Sequence, residues 1–126
     1  MRIMLKSKIH RARVTEANID YEGSITVDRK LMTAADILPF EQVHVLDVNN
    51  GSRFTTYAIE GEDGEICVNG AAARLVTRGD TVIILTYTEV TEERATNHHP
   101  TLVYIDACNK IKEIKSEIVP PVSILE

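Results

Sequence analysis

The dipeptide Gly23-Ser24, within Tyr21-Glu22-Gly23-Ser24-Ile25-Thr26, carries more potential chemistry than any other stretch of this chain. Serine is a weak nucleophile until its surroundings activate it. A glycine before it opens backbone conformations closed to other residues and leaves its carbonyl bare. Attack by the Ser24 hydroxyl on the Gly23 carbonyl would turn the peptide bond into an ester. Elimination and loss of ammonia would then leave a pyruvoyl group at the new amino terminus. That group is an electrophile, and none of the twenty side chains is one. The same dipeptide also makes an ordinary turn, so the pair alone leaves both readings open.

Other residue types suit a reaction on an anionic amino acid. Arg53 offers a planar fork that matches two carboxylate oxygens and keeps its charge in a dry site. Lys8 is a second cation. Tyr57 is a weak acid with an apolar body and one polar tip. Asn69-Gly70-Ala71-Ala72 fits the start of a helical turn, where bare amides receive anions and small side chains admit close approach. Each has a plainer reading: surface charges for Arg53 and Lys8, a packed strand residue for Tyr57, a good helix former for the alanines. His10 could assist proton transfer or simply hydrogen-bond within the fold. In Asn97-His98-His99-Pro100 the adjacent imidazoles diverge if extended and lack a third ligand, so no metal is expected.

The elements that must position these residues read mostly as short strands. Residues 2–14 suit a long first strand, and 24–28 alternates with β-prone residues. Residues 30–38 suit a short helix stopped before Pro39. Strands over 42–48 and 53–59 flank Asn49-Asn50-Gly51, a hairpin signal. A strand near 65–69 leads to Asn69, placed to cap a short helix through Leu75. Residues 81–87 read as a strand buried on both faces, and 101–107 as another. Ile111, Ile114 and Ile118 have helical spacing. Many strands with few helices predict a mainly β fold, a compact barrel. Thr56 and Tyr57 are neighbours, so a regular strand turns them to opposite faces.

Bulk properties set limits. The chain has 126 residues and a formal net charge of −5, which suits one domain with its own core. No apolar run is long enough to span a bilayer and no signal-peptide pattern opens the chain, so a cytoplasmic protein without membrane contact is expected. Cys67 and Cys108 have no CxxC spacing and read as small packing residues in a reducing compartment. Arg2, Lys6, Lys8, Arg11 and Arg13 could form a nucleic-acid stripe on a small non-enzymatic β-barrel module. The acidic whole and the few aromatics argue against nucleic acid.

Several separated motifs, in order and in register, resemble the pyruvoyl-dependent aspartate 1-decarboxylases. They are Lys8 and His10 in Lys6-Ser7-Lys8-Ile9-His10-Arg11, the run from Tyr21 to Ser24, Asn50-Gly51-Ser52-Arg53-Phe54-Thr55-Thr56-Tyr57-Ala58-Ile59, Val68-Asn69-Gly70-Ala71-Ala72-Ala73, and Gly79-Asp80 before an apolar strand. The resemblance covers most of residues 1–90. It implies a double-psi β-barrel, a homotetramer with active sites at subunit contacts, and cleavage into chains 1–23 and 24–126. It implies conversion of L-aspartate to β-alanine for pantothenate by a pyruvoyl group derived from Ser24. By the same resemblance Lys8 and Arg53 hold carboxylates and Tyr57 donates a proton. Thr56 would polarise the Gly23 carbonyl and contact substrate, Gly70, Ala71 and Ala72 would contact substrate, and His10, Tyr21 and Asn69 would support the site. Some relatives need a maturation activator protein. A pyruvoyl enzyme for another amino acid is the neighbouring alternative, and two cations near one pocket favour a substrate with two carboxylates.

Overall fold

The computed structural model describes residues 1–118. Nine strands carry the fold: β1 (Arg2–Arg13), β2 (Glu16–Asn18), β3 (Ser24–Asp28), β4 (Gln42–Asp47), β5 (Arg53–Gly61), β6 (Ile66–Asn69), β7 (Thr81–Val90), β8 (Thr101–Ile105) and β9 (Ile111–Lys115). Two short helices, α1 (Arg29–Ala34) and α2 (Glu92–Ala95), and a 3₁₀ turn over Gly70–Leu75 complete it. The strands form one mixed sheet in the order β2-β6-β3-β5-β4-β7-β1-β8-β9, whose two end strands do not pair with each other.

Chain connectivity forces this open ladder to roll up. β1 and β2 stand six strand spacings apart in the sheet order, a path of roughly 29 Å along a flat sheet. Only Val14 and Thr15 join them, and three Cα steps reach about 11 Å. The Thr15 amide donates to the Ile66 carbonyl at 2.7 Å, and the Val14 amide to the Asp80 carbonyl at 2.8 Å. The linker thus ties the β1–β7 side of the sheet to the β6 side. One apolar cluster fills the resulting small barrel, with Ile9, Ile25, Val45, Val68, Ile84 and Val103 contributed by six different strands.

The mainly β class, the hairpin around Asn49-Asn50-Gly51 and the strand at 24–28 match the sequence reading. Three local expectations are corrected, and one segment left open takes a definite form. Helix α1 ends at Ala34 rather than reaching residue 38, because Asp36 takes a left-handed φ of 55°; its start is capped by the Asp28 carboxylate on the Lys30 amide at 2.8 Å. Strand β7 is not buried on both faces. Val82, Ile84 and Thr86 are buried while Ile83 and Leu85 are half-buried and Tyr87 is exposed, the one-sided pattern of an antiparallel barrel wall. The segment with helical isoleucine spacing is strand β9 from Ile111 to Lys115, exposed throughout and paired with β8. A free sheet edge offers a ladder that a lone apolar period does not outweigh. At 70–75 the helix is 3₁₀, and Asn69 makes no side-chain cap to it.

Candidate active site

Two groups of candidate residues lie on the outer face of the barrel, one around β3 and β6 and one around β1, β7 and β4, and they meet along β5. The first surrounds the Gly23–Ser24 bond. Strands β3 and β6 are antiparallel, with Ser24 opposite Asn69 and Thr26 opposite Cys67. Ile25 and Val27 point into the core, so Ser24, Thr26, Cys67 and Asn69 share the face turned away from it. There Ser24 is still only 1% exposed and Asn69 only 2%. The Ser24 hydroxyl donates to the Glu22 carbonyl at 3.1 Å. The Asn69 carboxamide nitrogen donates to Ser24 Oγ and to Thr26 Oγ1, each at 3.0 Å. The Ser24 hydroxyl is thereby held from both sides.

Backbone packing reinforces this grip. Gly70 has a φ of 75°, and a Cβ built on it would stand 2.6 Å from Gly23 Cα, 2.8 Å from Gly23 N and 3.3 Å from the Tyr21 carbonyl. Gly70 therefore presses its bare backbone against the candidate scissile unit. Gly23 itself is not among the residues with positive φ, and a Cβ there would meet nothing within 4 Å. The conformational freedom expected of Gly23 is thus used at Gly70 instead. Tyr21 is 55% exposed beside this cradle. Ala71 is exposed and Ala72 half-buried on the 3₁₀ turn.

Tyr57 belongs with this first group by register. The parallel pairing of β3 with β5 runs from Ile25 opposite Ala58, and Ser24 and Tyr57 are the preceding residues of the two strands. Tyr57 is half-buried, its ring tilted against Phe40 with centroids 6.2 Å apart. Thr56 lies on the opposite side. The β4–β5 ladder passes it without a register shift, so its side chain turns to the face that carries Phe54 and Ala58.

The second group lies on the outer face of β1, β7, β4 and β5. Lys8 is opposite Leu85, Leu85 opposite His44, and His44 opposite Thr55, with Arg53 two residues along the same strand. Arg53 opens onto a cleft of about 290 Å³ lined by His44, Leu46, Thr55, Leu85 and Tyr87 as well. Among the described residues neither Lys8 nor Arg53 has a carboxylate within ion-pair distance, whereas Arg2 pairs with Glu92 at 2.9 Å and Lys6 with Glu41 at 2.6 Å. Those pairs occupy two of the five cations that could have lined a basic stripe along β1. Lys8 stands four strands from Ser24 in the sheet order, roughly 19 Å along the wall, and both face outward. Arg53 is four residues from Tyr57, roughly 13 Å along β5. One chain does not bring Lys8 to Ser24.

His10 follows Lys8 where β1 carries an irregularity, with Arg11 at a φ of 68°. Its ring meets Tyr104 edge-on at 5.2 Å, and its Nδ1 is buried without a partner. Burial, then the charges of Lys8 and Arg11, lower its pKa and favour neutral imidazole. His98 donates from Nε2 to the Leu5 carbonyl at 2.6 Å. Among the described residues no group of three His, Cys, Asp or Glu side chains could hold a metal ion, and no helix is long and apolar enough to cross a membrane.

Comparison with known proteins bears directly on this arrangement. The profile of the family described as aspartate decarboxylase matches residues 1–112. The aspartate 1-decarboxylase of Dehalococcoides mccartyi (strain 195) is 59% identical over 117 residues, covering 91% of this chain and 94% of that protein. This chain belongs to the aspartate decarboxylase family. The aspartate 1-decarboxylase of Syntrophomonas wolfei is 61% identical over 116 residues, covering 90% of this chain and 98% of its own. That of Legionella pneumophila (strain Lens) is 58% identical over 118 residues, at 92% and 89% coverage.

For a member of this family, three features of the site were not legible as functional. Cys67, read as a packing residue, donates its thiol to Asn69 Oδ1 at 3.1 Å. Its position two residues before Asn69 on a strand was the available signal, because such residues share a face. His44 and Tyr87, with ring centroids 5.1 Å apart, line the Arg53 cleft without any motif to mark them.

Proposed function

We propose that this protein is a self-processing aspartate 1-decarboxylase that cleaves itself between Gly23 and Ser24 and then converts L-aspartate to β-alanine and carbon dioxide. The observation that carries this reading is the buried Ser24, held by Asn69 and Glu22 while Gly70 presses on Gly23, in a chain of the aspartate decarboxylase family. In the first step Ser24 Oγ bonds to the Gly23 carbonyl carbon, the C–N bond breaks, and the hydroxyl proton passes to the Ser24 nitrogen. Elimination then releases Gly23 as a carboxylic acid. Water replaces the nitrogen, which leaves as ammonia. The products are chains 1–23 and 24–126, the second beginning with a pyruvoyl group.

The local residues fit that group. It would occupy the position of Ser24 itself, with a hydrogen-bond donor at Asn69 and the bare backbone of Gly70 close by, where a Cβ would collide with Gly23. Once formed, it supplies a carbonyl able to take up the electron pair left when carbon dioxide departs. The protein must then seat a dianion, orient the departing carboxylate and return a proton to carbon. Arg53 and Lys8, without carboxylate partners among the described residues, suit the two carboxylates. Tyr57, on the same face as Ser24 and against Phe40, suits the proton donor. Ala71 and Ala72 keep the 3₁₀ turn small enough for substrate to approach its backbone. The register of β5 turns Thr56 to the face opposite Ser24, so its role at the Gly23 carbonyl requires a local bend or a second copy of the chain, with His10 and Tyr21 shaping the surroundings.

The separation of Lys8 from Ser24 supports assembly from more than one chain. We assign the homotetramer of the reading to this need, with Lys8 and Arg53 of one copy facing Ser24 and Tyr57 of another. Apolar side chains on the wall that carries the cleft, Ile3 at 73% and Tyr87 at 42% exposure, suit coverage by a second copy. The free thiols, Cys67 buried and Cys108 exposed, suit a cytoplasmic enzyme supplying pantothenate synthesis, with or without an activator protein. Purified protein should release carbon dioxide from L-aspartate and not from histidine or arginine, and Ser24→Ala should abolish both cleavage and turnover. An active Ser24→Ala protein would overturn the reading.

A further inference from the structure

Asn69 is the only side chain that donates to the Ser24 hydroxyl among the described residues, and a carboxamide can face either way in its slot. Turned one way, it gives two N–H donors to Ser24 and Thr26. Turned the other, it presents an acceptor to those hydroxyls and draws the Ser24 proton away from the Glu22 carbonyl. Strand β6 decides between them. Cys67 lies two residues earlier on the same face, 6% exposed, with its Sγ 3.1 Å from Asn69 Oδ1. A thiol is a donor and only a weak acceptor, so it pairs with the carboxamide oxygen and poorly with the nitrogen.

We propose that Cys67 is a positioning residue for self-cleavage: its S–H holds the Asn69 carboxamide with the nitrogen turned to Ser24. The inference rests on the reading of Gly23–Ser24 as the cleavage site. With the thiol in place every hydrogen-bonding atom of the carboxamide has a partner: Nδ2 on Ser24 Oγ and Thr26 Oγ1, Oδ1 on Cys67. Ser24 Oγ then accepts from Asn69 while donating to the Glu22 carbonyl, which leaves the hydroxyl one orientation. Chains of such bonds in a buried site polarise one another, so the thiol also strengthens the N–H that Asn69 offers. Burial, then the charges of Glu65 and Glu16, raise the Cys67 pKa, which keeps the proton on sulfur. When Ser24 Oγ bonds to the Gly23 carbonyl carbon and the C–N bond breaks, the oxygen held by Asn69 becomes the bridging oxygen of the ester. Removing the thiol leaves one end of the buried carboxamide unpaired in either orientation, so nothing then holds its nitrogen on Ser24 in preference to its oxygen.

The test follows the conversion of freshly purified precursor into its two fragments by intact mass, for wild type, Cys67→Ala and Cys67→Ser. Cleavage should slow by about tenfold in Cys67→Ala, the scale of one lost buried hydrogen bond. The serine variant keeps a small donor, but its hydroxyl also accepts, so it should recover only part of the loss and cleave faster than Cys67→Ala. Wild-type cleavage with an equally fast Cys67→Ala overturns the positioning role, and so does a serine variant as slow as the alanine one. Wild-type protein that never splits at Gly23/Ser24 overturns the cleavage reading instead, which separates the two failures. A second measurement leaves Cys67 untouched should Cys67→Ala fail to fold. In uncleaved Cys108→Ser protein, which keeps only the Cys67 thiol, the infrared S–H stretch should be lowered by hydrogen bonding. A stretch at the frequency of a free thiol overturns the proposal.

Discussion

Replacing Gly70 with alanine tests whether the cleavage site is held by backbone contact. The new Cβ would stand 2.6 Å from Gly23 Cα and 2.8 Å from Gly23 N. Carbon atoms pack at about 3.5 Å or more, so Gly23 or Gly70 must move by about 1 Å. Holding alanine at a φ of 75° adds strain of about 1–2 kcal/mol. Together these costs are smaller than the roughly 5–15 kcal/mol that stabilises a domain, so the variant should fold with a lowered Tm. A displacement of about 1 Å at reacting atoms costs on the order of a hundredfold in rate, and cleavage should slow by that order. Gly51→Ala is the control, because Gly51 has a φ of 76° but a Cβ there meets nothing within 4 Å. The control should lose the share of stability due to φ strain alone and still cleave. Cleavage time courses by intact mass, with thermal melts alongside, read both effects. Gly70→Ala cleaving as fast as Gly51→Ala would refute the cradle.

Three other predictions address separate parts of the account. Tyr57→Phe should be cleaved normally yet lose most turnover of aspartate; unchanged turnover removes Tyr57 from proton donation. Ser24→Ala and Lys8→Ala chains, each inactive alone, should regain turnover when coexpressed, with about a quarter of sites intact after random assembly. No recovery would mean that each site is built from a single chain. Asp63, held by Lys110 and Lys30, has its pKa lowered from 3.8 to about 2. A depressed carboxylate stabilises the fold above its unfolded pKa and loses that contribution as pH falls through the folded value. The Tm difference between wild type and Asp63→Asn should therefore be constant above about pH 5 and shrink between about pH 4 and pH 2. A difference that does not change over that window contradicts the ion-pair assignment.

Local patterns carried much of the fold into view. Period-two alternation and turn residues marked β3, β4, β5 and β6, because each strand has one face on the core. The overlong helix after Lys30 and the uninformative helical spacing at Ile111–Ile118 share a cause. Apolar spacing records which residues are sticky, while a left-handed Asp36 and an open sheet edge at β8 decide what the chain does with them. Strand order was beyond reach, since β1 pairs with β7 and β8, far along the chain. For that reason the sequence motifs could name Lys8 and Ser24 together but not reveal that they occupy different walls. The cradle shows the same division. Gly23-Ser24 is visible as a dipeptide, but the pressure of Gly70 and the Cys67–Asn69 bond exist only once β6 lies beside β3.

Intact-protein mass spectrometry on a preparation that releases carbon dioxide from L-aspartate tests the central claim most directly. The account predicts two chains divided between Gly23 and Ser24, the larger lighter by one ammonia than simple hydrolysis would leave it. An active preparation that shows only the uncleaved mass, or two chains without the loss of ammonia, would contradict it.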